Sequence, residues 1–174
     1  MLVLKTAVTT LSCGGCDLKS LPFPLPNRLT TLDCNHCVSL VSLSGPLPDS
    51  LTKLICYECS SLEILPDPLP SSLVVLSCSG CEKLKTLPKE LPKSLEMLDC
   101  DHCIGLESLP DPLPDGLTGL YCIGCESLES LPSLLPDSLE VLDCSECKRL
   151  VSLPYPLRTG LIVLCDGCDS RDPS

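Results

Sequence analysis

Residues 73–94 read LVVLSCSGCEKLKTLPKELPKS and residues 95–116 read LEMLDCDHCIGLESLPDPLPDG. Laid over one another, they share leucine at 73/95, 76/98, 84/106, 87/109 and 91/113, cysteine at 78/100 and 81/103, and proline at 88/110 and 92/114. The spacing extends along the chain: eight CxxC pairs fall at 13/16, 34/37, 56/59, 78/81, 100/103, 122/125, 144/147 and 165/168, and successive first cysteines lie 21 or 22 residues apart. A period of this length with leucines in register marks a repeat array, in which no unit buries its apolar face alone and neighbours share one linear core. Cut on the cysteines, the units are 8–28, 29–50, 51–72, 73–94, 95–116, 117–138, 139–160 and a truncated 161–174, with the consensus LxxLxCxxCxxLxxLPxPLPxS.

Around LxxLxC apolar and polar residues alternate, with Leu98 and Cys100 inward and Asp99 and Asp101 outward, the period-two pattern of a half-buried strand. Twenty-two residues per coil leave no room for a long return helix. The LPxPLP half opposes one in any case, because proline lacks an amide donor and holds the preceding residue extended. The predicted fold class is therefore a β-solenoid: one short parallel strand per coil, an extended, polyproline-like opposite wall, and little or no helix. At roughly 4.8 Å per parallel strand, eight coils stack to about 40 Å. The predicted core is the inward column Leu32, Leu54, Leu76, Leu98, Leu120 and Leu142 with the pairs Cys34/Cys37, Cys56/Cys59, Cys78/Cys81, Cys100/Cys103, Cys122/Cys125 and Cys144/Cys147.

In domain terms, residues 1–7 read as an N-terminal strand or cap built from Leu2, Val3 and Leu4, residues 8–168 as the solenoid of eight units, and residues 169–174 as a C-terminal tail. The apolar start also raises an export signal or a lipid-modified Cys13. The late charge at Lys5, the short apolar run and the repeat register of Cys13 favour the cap.

The strand half resembles the leucine-rich repeat family, whose motif LxxLxLxxN is matched here with cysteine at the third leucine and at the asparagine position. The LPxPLP half is similar to the short LPX type known from secreted bacterial effectors, and cysteine-rich LP arrays of this kind are similar to those of large DNA viruses. The resemblance spans residues 8 to about 168 and implies a concave sheet face that contacts other proteins. The chain departs from the family in placing cysteine at the ladder asparagine throughout, and it shows neither a helical cap before the first unit nor an enzymatic domain after the last. An effector-type ubiquitin-ligase activity has no residues here to carry it.

The net charge is −11, and the 12 basic residues are scattered without a basic stripe, which disfavours nucleic acid and anionic membrane surfaces as partners. No apolar run is long enough to span a bilayer. A cytosol-exposed location follows as the expectation: host-cell cytoplasm, or the virion if the chain is viral.

Three roles compete for the cysteines. Buried thiols behave as small apolar groups, which fits the strict register and the use of a leucine position. Disulfides are invited by the even count, but a loop closed over two residues removes little chain entropy. Metal binding is invited by adjacent CxxC pairs and by the CxGC variants at Cys13, Cys78, Cys122 and Cys165, but zinc sites are discrete whereas every pair here has equivalent neighbours. No cofactor is expected. Redox catalysis is disfavoured, because eight repetitions are the opposite of one tuned site.

The outward strand positions form columns across the sheet. One column carries Asp33, Ile55, Asp99, Tyr121 and Asp143, the next carries Tyr57, Asp101 and Ile123, and the third adds His36, Glu58, His102 and Glu146. These are the candidate partner-binding residues, an acidic surface with sparse apolar spots, Tyr57 and Tyr121 projecting as anchors and Met97 beside them. His36 and His102 lie three coils, roughly 14 Å, apart and so cannot share one metal centre; they read as solvated histidines. No catalytic or metal site is predicted. The function expected is a non-enzymatic protein-interaction scaffold binding through its acidic concave face. The alternatives are a structural subunit of a larger assembly such as a virus particle, and thiol-based metal binding. An unpaired strand edge at each end also makes end-to-end self-association or docking plausible.

Overall fold

The computed structural model describes residues 8–43 and 45–168, so the predicted cap at 1–7 and tail at 169–174 lie outside the described residues. Each unit contributes one three-residue strand: β1 (Thr10–Ser12), β2 (Thr31–Asp33), β3 (Lys53–Ile55), β4 (Val75–Ser77), β5 (Met97–Asp99), β6 (Gly119–Tyr121), β7 (Val141–Asp143) and β8 (Ile162–Leu164). They form a single sheet in chain order, every neighbouring pair parallel. The central residues Leu11, Leu32, Leu54, Leu76, Leu98, Leu120, Leu142 and Val163 pair as one row. No helix occurs among the described residues. The chain is a parallel β-solenoid.

Three-residue strands hold because the ladder continues past them into the turn. The first cysteine of each coil donates its N–H to the next coil, as Cys34 does to the Ile55 carbonyl at 2.9 Å and Cys78 to that of Asp99 at 2.8 Å. Two residues later the chain donates again, His36 to Tyr57, Gly80 to Asp101 and Gly124 to Ser145. CxxC itself closes a turn, the last cysteine donating to the first carbonyl in Cys81 to Cys78 and Cys125 to Cys122. The residue before that last cysteine has positive φ, as at Gly80 (φ 70) and Gly124 (φ 65), the backbone a type II turn demands. Glycine in the CxGC variants thus answers a turn, not a metal. Two further turns bring the chain round, one from Cys103 to Leu106 and one from Pro114 to Leu117, both repeated along the array.

The consensus serine that ends a unit also works between coils. The hydroxyls of Ser50, Ser72, Ser94 and Ser138 lie 2.6–2.7 Å from the carbonyls of Leu29, Leu51, Leu73 and Leu117 one coil back. These donors supply the proline-rich wall, where few ladder bonds form; Ser42 with Ile64 and Thr86 with Ser108 make isolated bridges there. Four X–Pro bonds on this wall are cis, Phe23–Pro24, Asp67–Pro68, Asp111–Pro112 and Tyr155–Pro156.

The core runs the length of the stack. All eighteen predicted core residues, the leucine column 32 to 142 and the six cysteine pairs from Cys34/Cys37 to Cys144/Cys147, are fully buried. All sixteen cysteines are free thiols, and eleven of their sulfurs donate a hydrogen bond to a backbone carbonyl. The second cysteine of each pair reaches back to the carbonyl of the first cysteine one coil earlier: Cys59 to Cys34 at 3.0 Å, Cys81 to Cys56 at 3.2 Å, Cys103 to Cys78 at 3.1 Å, Cys125 to Cys100 at 3.1 Å and Cys147 to Cys122 at 3.0 Å. First cysteines reach forward, Cys56 to Ser77 at 3.3 Å and Cys100 to Tyr121 at 3.2 Å. A leucine at these places would remove the sulfur donor, although carbonyls such as those of Ser77, Tyr121 and Cys78 would keep a backbone N–H. The neighbouring thiol and burial together push the Cys56, Cys78 and Cys100 thiols well above their ordinary range, so they stay protonated.

Candidate functional site

The strands set three rows of side chains on the face turned away from the core. Counting from the first cysteine of each pair, the rows lie three and one residues before it and one after it, and the positive-φ turn residue supplies a fourth row along the rim.

The row just before the cysteine holds Asp33, Ile55, Asp99, Tyr121 and Asp143 in register. Asp33 and Asp99 use both carboxylate oxygens: Oδ1 accepts the N–H two residues on, from Asn35 and Asp101, and Oδ2 accepts a hydroxyl of the preceding strand, from Ser12 at 3.1 Å and Ser77 at 2.8 Å. Asp143 repeats only the first bond, from the Ser145 N–H. It was expected as an exposed residue and is instead only 9% exposed, flanked in its row by Tyr121 and Leu164.

In the next row Asp101 Oδ1 accepts the Ile123 N–H at 2.7 Å. Burial, with Asp99 and Asp143 nearby, raises its carboxyl to about 6. Tyr57 and Tyr121 were expected to project, and both are half-buried. Tyr57 meets the His36 ring edge-on at 5.0 Å. Tyr121 folds back over Gly119, its Cε2 2.9 Å from where a Cβ on that glycine would stand.

The rim row explains the histidines. His36, Glu58, His102 and Glu146 all have positive φ, between 53 and 60. Glu58 and His102 lie over the glycine that follows in the row, Gly80 and Gly124, where a Cβ would meet them at 3.1 and 2.6 Å. These side chains lie along the rim and remain exposed. His36 and His102 are in separate coils, and among the described residues no three His, Cys, Asp or Glu side chains gather where a metal could sit. The thiols are turned to backbone carbonyls instead.

One row escaped sequence reasoning. Three residues before the cysteine stand Lys53, Val75, Met97, Gly119, Val141 and Ile162, of which only Met97 was noted. Extending the in-and-out alternation one step back from the buried leucine would have found it. On the opposite wall lies an open hollow of about 940 Å³ lined by Leu47, Ile64, Pro66 and Pro68 among others, with Asp49 and Asp67 its only titratable groups. Tyr155, the third tyrosine, is 92% exposed on that wall near Leu134.

Fold and core define the class: a parallel β-solenoid with a thiol-lined core and no helix among the described residues. Among solved structures it is similar to a leucine-rich repeat protein from Bacteroides ovatus, at 25% identity and a TM-score of 0.51, over 77% of this chain and 34% of that one. The chain thus spans about a third of the length of that protein. No protein-family model and no curated protein matches it.

Proposed function

We propose that this protein is a non-enzymatic interaction scaffold, a leucine-rich repeat solenoid of the short LPX type, that binds a partner protein through the outward, acidic face of its sheet. The 22-residue period, the LxxLxC strand and the helix-free opposite wall support the type. The observation that carries the function is segregation of charge. The three outward rows and the rim hold seven carboxylates, those of Asp33, Glu58, Asp99, Asp101, Asp143, Glu146 and Asp166, against the one ammonium of Lys53. Elsewhere among the described residues acids and bases stand at 14 to 9. A rigid face with one sign of charge and scattered aromatic and aliphatic groups suits recognition of a basic protein surface. The sixteen free thiols suit a reducing, cytoplasmic location.

A pull-down from source material with wild type and a Tyr57→Ala, Asp99→Ala, Tyr121→Ala variant tests the reading. Loss of one specific partner is the expected result; retention of every partner in fixed ratio overturns it. That second result would favour the other reading, a stiff component of a larger assembly such as a virus particle, held by its ends and opposite wall. The exposed Leu134, Tyr155, Ile162 and Leu164 toward the C-terminal coil are what speaks for it. Thiol-based metal binding has no ligand set among the described residues.

A further inference from the structure

The outward face is uneven, and its unevenness is concentrated on β4 to β8. There the row three residues before the cysteine turns apolar: Val75, Met97, Val141 and Ile162. Gly119 breaks the row in sequence but not in space, because the Tyr121 ring occupies the place of its missing side chain, between Met97 and Val141. The result is an unbroken apolar stripe across five strands, about 19 Å long at the parallel-strand spacing.

Beside that stripe lies Asp143. Its equivalents Asp33 and Asp99 have Oδ2 satisfied by a serine of the preceding strand. At Asp143 the serine position is taken by Tyr121, whose hydroxyl is turned back toward Gly119. No donor among the described residues reaches Asp143 Oδ2, and in a residue only 9% exposed this oxygen is the part left open to solvent. A carboxylate oxygen so placed is free to accept a charge-assisted hydrogen bond from an arriving donor. Asp99 and Asp101 add negative potential at the same spot.

We propose that this patch docks a partner-protein segment bearing apolar side chains and an arginine, the apolar groups lying on the stripe and the guanidinium taking Asp143 Oδ2 beside the Tyr121 ring. Arginine fits better than lysine because its planar, weakly hydrated head forks onto a carboxylate and stacks on an aromatic ring. The inference rests on the outward face being the contact surface.

Fluorescence anisotropy with synthetic labelled peptides tests it at about 0.15 M salt, where long-range attraction is screened. The probes are a leucine and arginine peptide and one of equal charge with serine for leucine. The proteins are wild type, the isosteric Asp143→Asn, Met97→Ser with Val141→Ser, and a control, Glu107→Gln with Asp115→Asn, on the opposite wall, each first shown to be folded by its melt. Expected are binding of the leucine peptide and about a tenfold or greater loss with Asp143→Asn, as for one charged hydrogen bond. The stripe variant and the serine peptide should each also lose several-fold, and the control should bind like wild type. No binding by folded wild type, equal binding of the serine peptide, or an equal loss in the control overturns the inference. If it falls while the Tyr57, Asp99, Tyr121 variant still loses its partner from source material, the face remains the contact surface for other chemistry; if that partner is retained too, both readings fall.

Discussion

The coils at the middle and at the two ends of this solenoid are built from the same residues and differ in what those residues achieve. In the coils from Leu29 to Leu150 the strand leucines and both cysteines are sealed. In the first, Leu11, Cys13 and Leu18 are half-buried and Cys16 is exposed, and in the last, Leu161, Val163, Cys165 and Cys168 are half-buried. The difference shows that burial here is a property of neighbours rather than of sequence, as a one-dimensional stack requires. A CxxC pair is a sealed donor set only when a coil lies on both sides.

Thiol chemistry gives the widest separation between the two regions. In native protein, iodoacetamide should modify Cys16 first, then more slowly Cys13, Cys165 and Cys168, and should leave the twelve cysteines from Cys34 to Cys147 untouched until the chain opens. Cys13 lags Cys16 because burial, with Cys37 nearby, pushes its thiol up to about 11. Mass spectrometry of timed samples reads this directly. Modification of Cys100 or Cys103 at the rate of Cys16 would dissolve the distinction.

Stability should follow the same division. Leu98→Ala or Leu120→Ala removes a fully buried side chain between two coils and should cost roughly 2 to 5 kcal/mol, whereas Val163→Ala, half-buried in β8, should cost about 1 kcal/mol or less. Denaturant melts of the three variants decide it; equal losses would mean that the last coil is covered as well as the fifth. Asp99→Ala, for which sequence alone suggests almost no effect, should cost about 1 kcal/mol because its carboxylate accepts from Ser77 and Asp101.

The thiol donors sharpen the comparison further. Cys103→Val keeps an apolar group of similar size but removes the S–H bond to the Cys78 carbonyl, which still accepts the Cys81 N–H, and should cost about 0.5 to 1.5 kcal/mol. Cys103→Ser keeps a donor but buries a more polar group. Should valine prove as stable as cysteine, the sulfurs would be filler after all, and their bonds to carbonyls incidental.

Much of this was readable in the residues. The period, the strand position and the leucine and cysteine columns follow from LxxLxC alone, because a period-two pattern locked to a repeat admits one register; a slip by one residue would turn Leu98 outward and Asp99 inward. The return wall was readable from LPxPLP through the missing amides. What stayed hidden depends on contacts between coils. That Asp143 is buried while Asp33 is not follows from Tyr121 standing where β1 has Ser12, a relation between residues 22 apart. The rim histidines are exposed, as the sequence suggests, but that His102 lies over Gly124 was hidden, because no pattern within one coil announces where a side chain lands on the next.

The smallest effect concerns Asp101, whose position among Asp99, His102 and Asp143 belongs to the sealed middle of the stack. Its carboxyl is raised from 3.8 to about 6, chiefly by burial. A group whose folded value exceeds its unfolded one binds protons more tightly when folded, so its contribution to stability is complete below about pH 4 and is lost as pH rises through about 6. Asp101→Asn keeps the oxygen that accepts the Ile123 N–H and removes the titration. Wild type should therefore lose stability between pH 4 and 6 relative to Asp101→Asn, by a modest amount because the group is only partly buried. Parallel pH profiles for wild type and Asp101→Asn would place Asp101 in water and remove the middle of the sheet as a low-dielectric surface.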